Sequence, residues 1–414
     1  MQRGKEFREK WYVSPYNFSD KATGGMKFRD KVNLYDVTLR EGEQHYGVCF
    51  TKEQKIALVR KMAQARIPYV EISLVAASTD DQEVIRQMCA EDLGGTTVTA
   101  LCRLMKPDVD LAKDCGLKYI GIITMLNDTN LVAHGWKVEE IYGMAADVTS
   151  HARKVGFDHI AMMVPDGTKL PKERIIKLLE SVGSNIDSLC INDTYSSLSP
   201  AGAAALIDEL QPLSKIPVEL HCHNDFGFGA ANAIAAASRG CPTVHASFLG
   251  IGEKTGNARI EEVAVGLEML YGVNTGIDLE KIAEISQMVS EYTNIPLLSN
   301  TPVVGLGVRA LVSPTAVAQQ LRIVQTPSDW DEWGTRLAPF MPSAVGLSDE
   351  PEVSLGKASG AANVEWYLKK WGLSLDKDAV KAITARLKDF AIEKKGGGVT
   401  PDELRGIIKE LKYI

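Results

Sequence analysis

Short apolar strand patterns alternate with amphipathic helix patterns between residues 31 and 270. The strand patterns lie at residues 33–38, 69–73, 97–102, 119–124, 159–164, 188–192, 218–221 and 244–248. Eight strands, each followed by a helix over roughly 240 residues, predict a closed (β/α)₈ barrel of the TIM type. A doubly wound open sheet is the main alternative, because strands are easily miscounted from a single sequence.

The alternation stops near residue 275, so we expect four segments in this chain of 414 residues. Residues 1–30 would be an N-terminal extension, 31–275 the catalytic barrel, 276–352 a linker or subdomain, and 353–414 a smaller helical C-terminal subdomain. Three helix patterns, at 366–371, 376–393 and 400–411, predict the last segment. Residues 326–351 are rich in Pro, Trp, Asp and Ser, and we expect them to be irregular.

Composition excludes two classes of partner. The net charge of −7, without a clustered basic face, argues against nucleic acid. No apolar run approaches the roughly 20 residues that span a bilayer, and the polar N-terminus does not resemble a secretory signal. Seven cysteines without a CxxC pair predict free thiols in a reducing compartment. We therefore expect a cytoplasmic protein with small-molecule substrates.

The segment from His221 to His223 ends the seventh strand pattern. Residues i and i+2 of a strand point to one face, so two imidazoles would stand side by side while Cys222 turns away. A divalent-metal site would need one or two further oxygen ligands, and Glu41 lies at the end of the first strand pattern. Either motif alone is compatible with surface coincidence, but the two together favour a metal site.

Polar residues recur at or just beyond the predicted strand ends, where TIM barrels form their active sites. These residues are Glu41, Glu71, Asn192, Asp193, Thr194, His221, His223 and Glu253. Arg40 precedes Glu41, and its guanidinium can hold a substrate oxyanion beside a metal-bound carboxylate. We therefore expect one catalytic rim that contains both a cation site and an arginine.

Taken together, these motifs resemble the DRE-TIM metallolyase superfamily. That superfamily includes 2-isopropylmalate, homocitrate and citramalate synthases, with 3-hydroxy-3-methylglutaryl-CoA lyase as a cousin. The resemblance covers most of the chain and rests on residues 36–44, 51–55, 70–72, 221–227, 231–232, 250–257 and 355–360. It implies a homodimeric enzyme that joins an acyl-CoA to a 2-oxo acid with the help of Mn²⁺, Mg²⁺ or Zn²⁺.

The resemblance also implies roles for single residues. Glu41, His221 and His223 match the metal ligands, and Asn257 matches a further ligand of some members. Arg40 matches the arginine that binds the carbonyl and the developing enolate oxygen. The predicted substrate-binding residues are Gln44, His45, Glu71, Asp166 and Thr194.

The chain also departs from the family pattern at several positions of the catalytic machinery. Pro165 stands where the synthases have a glutamate, and Lys169 replaces the arginine that follows it. No histidine follows His245, although the synthases carry one after the barrel, and Ala358 replaces another histidine in the tail. The catalytic cysteine of the lyases is also missing from residues 252–254.

Five residues remain as candidates for proton transfer: Glu253, Tyr195, Asp166, His245 and His134. Glu253 and Tyr195, together with Arg40, are the predicted catalytic residues, whereas His245 suits a position in the core. Three functions stay open. The chain is a synthase, an aldolase or lyase that cleaves a hydroxy acid to a 2-oxo acid, or a relative without catalysis.

Overall fold

The computed structural model describes residues 7, 8, 10–323 and 338–414, which form two units. The first unit is Ser14–Leu297, and the second combines Phe7–Val13 with Leu298–Ile414 within the described residues. The division at residue 297 differs from the predicted boundaries at 275 and 352, which stay predictions. Part of the predicted irregular segment, residues 326–337, lies outside the described residues.

Eight parallel strands in the first unit close into a barrel. Two short paired strands, β1 (Phe7–Arg8) and β2 (Trp11–Tyr12), precede them in the chain. The barrel strands are β3 (Asn33–Asp36), β4 (Tyr69–Leu74), β5 (Thr97–Cys102), β6 (Tyr119–Ile123), β7 (His159–Val164), β8 (Ser188–Asp193), β9 (Val218–Cys222) and β10 (Thr243–Ala246). The predicted TIM barrel is confirmed, and the open sheet is excluded because β10 pairs with both β9 and β3.

Helices connect and surround these strands in the first unit. They are α1 (Asp20–Thr23), α2 (Thr38–Glu41), α3 (Lys52–Gln64), α4 (Thr79–Ala90), α5 (Lys106–Asp114), α6 (Asp128–His134), α7 (Val138–Val155), α8 (Lys172–Val182), α9 (Pro200–Leu210), α10 (Gly229–Ala237), α11 (Ile260–Val265) and α12 (Ile282–Thr293). The capping box that begins α3 shows why the sequence starts a helix there. The Thr51 hydroxyl accepts from the Gln54 backbone N–H, and the Gln54 side chain accepts from the Thr51 backbone N–H.

The first barrel strand ends two residues earlier than predicted. The buried Asp36 carboxyl group accepts hydrogen bonds from the Thr38 backbone N–H at 3.1 Å and from its hydroxyl at 2.6 Å. These local bonds turn the chain out of the strand and into α2. Burial also raises the pKa of Asp36 to about 8. Glu41 therefore lies on a short helix rather than directly at the strand end.

Side chains from well-separated strands meet inside the barrel. One buried cluster consists of Tyr35, Val37, Leu101, Tyr119, Ala161, Met163 and Cys190. It draws on β3, β5, β6, β7 and β8, so its members can meet only in the barrel interior. The barrel is consequently packed, and the groups at its C-terminal mouth rest on a filled interior.

The second unit is mainly helical, as predicted. Its elements are β11 (Ala310–Leu311), α13 (Pro314–Ile323), β12 (Glu352–Val353), α14 (Ala361–Lys370), α15 (Lys377–Glu393) and α16 (Pro401–Glu410). The Tyr367 hydroxyl donates to the Val353 carbonyl at 2.6 Å and links α14 to β12. Of the helices that the structure describes, none is long and apolar enough to cross a bilayer.

Candidate functional site

Three predicted metal ligands come together at the barrel mouth, and we call Glu41, His221 and His223 the mouth cluster. Their ligand atoms all lie within 4.8 Å of one another, and all three residues are buried. His223 Nε2 lies 3.6 Å from Glu41 Oε1. β9 supplies His221, and His223 follows directly after the strand. The two-residue spacing therefore places both imidazoles toward Glu41, as the sequence predicts.

Burial keeps both imidazoles of the mouth cluster neutral near neutral pH. It lowers the pKa of His221 well below its usual value, and His223, His245 and Arg40 lower it further. Burial likewise lowers the pKa of His223 to about 4, with help from the positive charges of Lys254 and Arg40. A neutral imidazole offers the lone pair that ligates a metal, so no proton must be displaced from these rings.

Unpaired polar atoms show that the mouth cluster fits a cation. His221 Nδ1, His223 Nδ1 and Asn257 Oδ1 are buried without a hydrogen-bond partner among the described residues. Buried polar atoms are rarely left unpaired in folded proteins, because their desolvation is then uncompensated. A carboxylate, two imidazoles and an amide oxygen are suitable ligands for Mn²⁺, Mg²⁺ or Zn²⁺.

The loop that follows β10 places Asn257 beside Glu41. Asn257 Nδ2 donates to the Ile251 carbonyl at 3.0 Å, and its backbone forms an isolated bridge with His223. A Cβ atom added at Gly252 would overlap Asn257 Nδ2 and lie 3.1 Å from Glu41 Cγ. Both side chains thus share the space that this glycine leaves open, next to the mouth cluster.

Arg40 is held between two carboxylates. Its guanidinium forms ion pairs with Glu41 and with Glu71, and only 9% of its side chain is exposed. Glu71 is fully buried on β4 and also accepts a hydrogen bond from the Tyr35 hydroxyl at 3.0 Å. A guanidinium has five N–H donors, so two ion pairs fix its orientation without exhausting them.

Thr194 and Asp166 lie together on the rim, after β8 and β7. The Thr194 hydroxyl accepts from the Asp166 backbone N–H at 2.9 Å, and the Thr194 carbonyl accepts from Lys254 Nζ at 2.9 Å. Asp166 is buried, has φ of 53°, and pairs with Lys169 at 3.1 Å. These contacts tie neighbouring loops of the rim to one another.

The two predicted catalytic residues that could transfer a proton, Tyr195 and Glu253, lie at this rim and are partly exposed. The Tyr195 ring is flanked by Lys169 Nζ at 4.3 Å and Lys254 Nζ at 4.8 Å from its centroid. Glu253, whose side chain is 47% exposed, lies 3.8 Å from Lys254. The rim therefore presents two lysines around one aromatic ring, and each lysine also lies close to a carboxylate, Lys169 to Asp166 and Lys254 to Glu253.

Of the remaining predicted residues, one lies beside the loop that follows β10 and two are exposed. His45 Nδ1 lies 3.1 Å from the Gly252 carbonyl, which places it beside the loop that carries Asn257. Gln44 is exposed at the end of the turn after α2. His134 is exposed on α6 and stacks on Trp136 at 4.3 Å.

Sequence reasoning missed two polar residues beneath the mouth cluster. Tyr35 binds Glu71, and Glu219 is buried two residues before His221 on the same strand. The alternation that identified the histidine pair also places Glu219 on their face of the strand, so this signal could have found it. His245 is buried and stacks on Tyr35 at 4.2 Å, which matches its predicted core position.

Comparisons with known proteins agree with the fold and with the predicted resemblance. The HMGL-like family model matches residues 31–289. Homocitrate synthase AksA of Methanocaldococcus jannaschii is 31% identical over 412 residues, which covers 98% of this chain and 95% of that protein. The 2-isopropylmalate synthase of the same organism is 32% identical over 400 residues, covering 94% of this chain and 74% of the relative.

A solved structure shows the same barrel. The HMG-CoA lyase of Bacillus subtilis superposes with a TM-score of 0.60 at 22% identity, over 66% of this chain and 98% of that one. At this identity the likeness concerns the fold alone. The two synthases are acyltransferase-type enzymes, and the family model covers more than half of the chain. The chain therefore belongs to the HMGL-like family, the DRE-TIM metallolyases.

Proposed function

We propose that this chain is a divalent-metal-dependent enzyme that condenses an acyl-CoA with a 2-oxo acid, as alkylmalate synthases do. The observation that carries the proposal is the mouth cluster, buried and next to the doubly paired Arg40. The names of the two relatives, a homocitrate synthase and a 2-isopropylmalate synthase, support this type of reaction.

The mouth cluster, together with Asn257, would hold the cation. A cation bound there supplies a Lewis acid that polarises the keto carbonyl of a 2-oxo acid. The burial of Glu41, His221 and His223 excludes water from the ligand atoms and fixes their positions. A fixed, dry ligand set strengthens the electrostatic effect on a substrate carbonyl, because solvent does not screen it.

Arg40 would stabilise the negative charge that develops on the keto oxygen. Glu41 and Glu71 orient its guanidinium before the substrate arrives, so the stabilisation costs little reorganisation. Glu71 is itself held by the Tyr35 hydroxyl. This chain of contacts runs from the barrel interior to the reacting oxygen.

The rim would bind the carboxylate of the 2-oxo acid. The Thr194 hydroxyl accepts from the Asp166 backbone, so its own proton is available to a substrate carboxylate oxygen. Lys169 and Lys254 add positive charge around Tyr195, next to Thr194. Gln44 and His45, which follow Glu41 in the chain, would complete the substrate contacts.

Proton removal from the acyl-CoA needs a base, and we infer that Glu253 serves this purpose with Tyr195 as a neighbouring hydroxyl. The Glu253 carboxylate is accessible and near Lys254, so a substrate can reach it. One observation favours cleavage of a hydroxy acid as a second candidate function. The synthase glutamate is replaced by Pro165, and no histidine follows His245 to assist it.

A thiol assay separates the two candidates. Metal-loaded protein is mixed with acetyl-CoA and a panel of 2-oxo acids, and free CoA thiol is measured. We expect metal-dependent thiol release with at least one acceptor and none in Arg40→Ala. Formation of pyruvate from hydroxy acids, without thiol release from any acceptor, would instead support the lyase. If neither reaction occurs with Mn²⁺, Mg²⁺ or Zn²⁺, the chain is a relative without catalysis.

We also infer that the enzyme works in the cytoplasm as a homodimer. All seven cysteines are free, and five of them are buried, as a reducing compartment allows. The dimer rests on the family resemblance. Size-exclusion chromatography with light scattering tests it, and a mass equal to one chain of 45.1 kDa would contradict it.

A further inference from the structure

A second group of metal-ligating side chains lies inside the barrel, and we call Cys190, Glu219 and His245 the lumen cluster. Adjacent strands β8, β9 and β10 each contribute one residue. All three are buried, and their ligand atoms lie within 4.8 Å of one another. Cys190 also belongs to the packed cluster of the barrel interior. The lumen cluster plays no part in the reaction proposed above.

The two distances from His245 to the other residues of the lumen cluster match a tetrahedral metal site. His245 Nε2 lies 3.4 Å from Glu219 Oε2 and 3.6 Å from Cys190 Sγ. Zinc bonds of about 2.0–2.1 Å to nitrogen and oxygen and about 2.3 Å to sulfur, at tetrahedral angles, separate ligand atoms by about 3.4 Å and about 3.6 Å. The agreement includes the longer separation that a sulfur ligand requires.

Hydrogen bonding explains the distance between His245 and Glu219 less well. A good N–H···O bond measures about 2.7–3.2 Å, so the contact between His245 and Glu219 is long. A buried carboxylate is costly unless a nearby positive charge or close hydrogen bonds compensate it. A cation between the three ligand atoms would provide that compensation for Glu219.

The lumen cluster is distinct from the mouth cluster although β9 contributes to both. Glu219 precedes His221 by two residues, a separation of about 7 Å along a strand, so it points the same way but one layer deeper. Stacking on Tyr35, with ring centroids 4.2 Å apart and planes 11° apart, fixes the His245 ring. That ring therefore presents Nε2 to Cys190 and Glu219.

We propose that Cys190, Glu219 and His245 form a second divalent-cation site, one that takes Zn²⁺ rather than Mg²⁺ or Mn²⁺. The thiolate is the reason for this preference, since sulfur ligands select zinc while carboxylate and water ligands suit the harder cations. Binding exchanges the thiol proton for the metal: an S–H bond breaks, a metal–sulfur bond forms, and the proton leaves to solvent. Burial and Glu219 raise the pKa of Cys190, so the thiol is protonated until the cation enters.

Cobalt provides a probe that distinguishes the two clusters. Co²⁺ replaces Zn²⁺ and gives a sulfur-to-metal charge-transfer band in the near ultraviolet only when a thiolate is bound. The mouth cluster contains no sulfur ligand, so a band reports the lumen cluster. We expect about two equivalents of Co²⁺ per chain and a band in the unmodified protein. In Cys190→Ser the band disappears and about one equivalent remains.

Two controls keep the experiment decisive. Cys102→Ser replaces another buried strand cysteine and should leave the band unchanged. His221→Ala should bind one equivalent of Co²⁺ less but keep the band. This variant therefore separates failure of the lumen-cluster proposal from failure of the proposed function. Absence of a band in Co²⁺-loaded unmodified protein, or a band that survives in Cys190→Ser, would overturn the proposal. If circular dichroism shows that Cys190→Ser does not fold, the test uses the charge-transfer band and the Co²⁺ content of the unmodified protein and of Glu219→Gln instead.

Discussion

The mouth cluster and the lumen cluster both take a residue from β9, His221 and Glu219, yet their surroundings differ. The mouth cluster offers oxygen and nitrogen ligands beside Arg40 and an open rim with two lysines. The lumen cluster includes a thiol, and the Tyr35 ring covers its histidine. Under the proposed function, a set of metal ligands alone would therefore not make a catalytic site. A neighbouring positive group and access for substrate would decide which cluster acts on a carbonyl.

Removal of a mouth ligand should have the largest effect. We expect His223→Ala to lower metal-dependent thiol release by about 10³-fold or more, because several kcal/mol of carbonyl polarisation are lost. Metal content, measured by mass spectrometry, should fall at the same time. His151→Ala is the matched control, because His151 pairs with Asp110 on the surface, and it should keep full activity. Full activity in His223→Ala would contradict the proposal that the mouth cluster, and not the lumen cluster, serves the reaction.

Arg40 should matter for rate but not for metal content. Arg40→Ala should reduce the rate of thiol release by about 10²–10³-fold, the usual cost of losing one oxyanion donor. Arg40→Lys keeps the charge but loses the planar fork that Glu41 and Glu71 hold, so an intermediate rate is expected. Steady-state kinetics with metal analysis measures both. A variant that loses its metal together with its rate would show that Arg40 acts through the ligands.

Zinc should stabilise the chain through the lumen cluster. At a concentration of about 100 times the dissociation constant of the lumen cluster, Zn²⁺ bound at this one site should add about 2.7 kcal/mol to the free energy of unfolding. Denaturant titrations of metal-stripped protein with and without Zn²⁺ measure this, with Mg²⁺ as the comparison. In Cys190→Ser the increment from the lumen cluster should be lost, whereas Cys102→Ser should retain it. If Zn²⁺ raised the free energy of unfolding equally in both variants, zinc would bind only at the mouth cluster.

The rim lysines should have the smallest effect. Lys169→Met should raise the KM for the 2-oxo acid about tenfold and leave kcat nearly unchanged, because a charge that attracts substrate contributes about 1.4 kcal/mol to binding. Lys172→Met is the control, since Lys172 lies on α8 and pairs with Glu209 at 3.8 Å. A large fall in kcat instead would give Lys169 a part in the chemistry.

The contrast between the clusters also explains what the sequence could reveal. The mouth cluster was predictable because its histidines are two residues apart and Arg40 is adjacent to Glu41. The barrel was predictable because every strand carries its own apolar pattern. The lumen cluster takes single residues from three strands, so only closure of the barrel brings Cys190, Glu219 and His245 together.

Local hydrogen bonds account for the smaller differences between the predicted and the observed boundaries of helices and strands. The turn after β3 depends on Asp36 binding Thr38, which strand periodicity does not encode. α14 begins at Ala361, five residues before the predicted start, because the Asn363 side chain accepts from the Gly360 backbone N–H at 2.9 Å. Hydrogen bonds from side chains to nearby backbone determine where a helix or strand begins and ends. Apolar patterns predict only that the helix or strand is present.

Anomalous scattering from a crystal soaked in Mn²⁺ tests the central claim most directly. Manganese prefers oxygen and nitrogen ligands, so it should distinguish the mouth cluster from the lumen cluster. We predict one strong anomalous peak between the Glu41 carboxylate and the His221 and His223 rings, and its loss in His223→Ala. A map without a peak at these three residues, or with its main peak elsewhere, would contradict the assignment of the mouth cluster as the catalytic metal site.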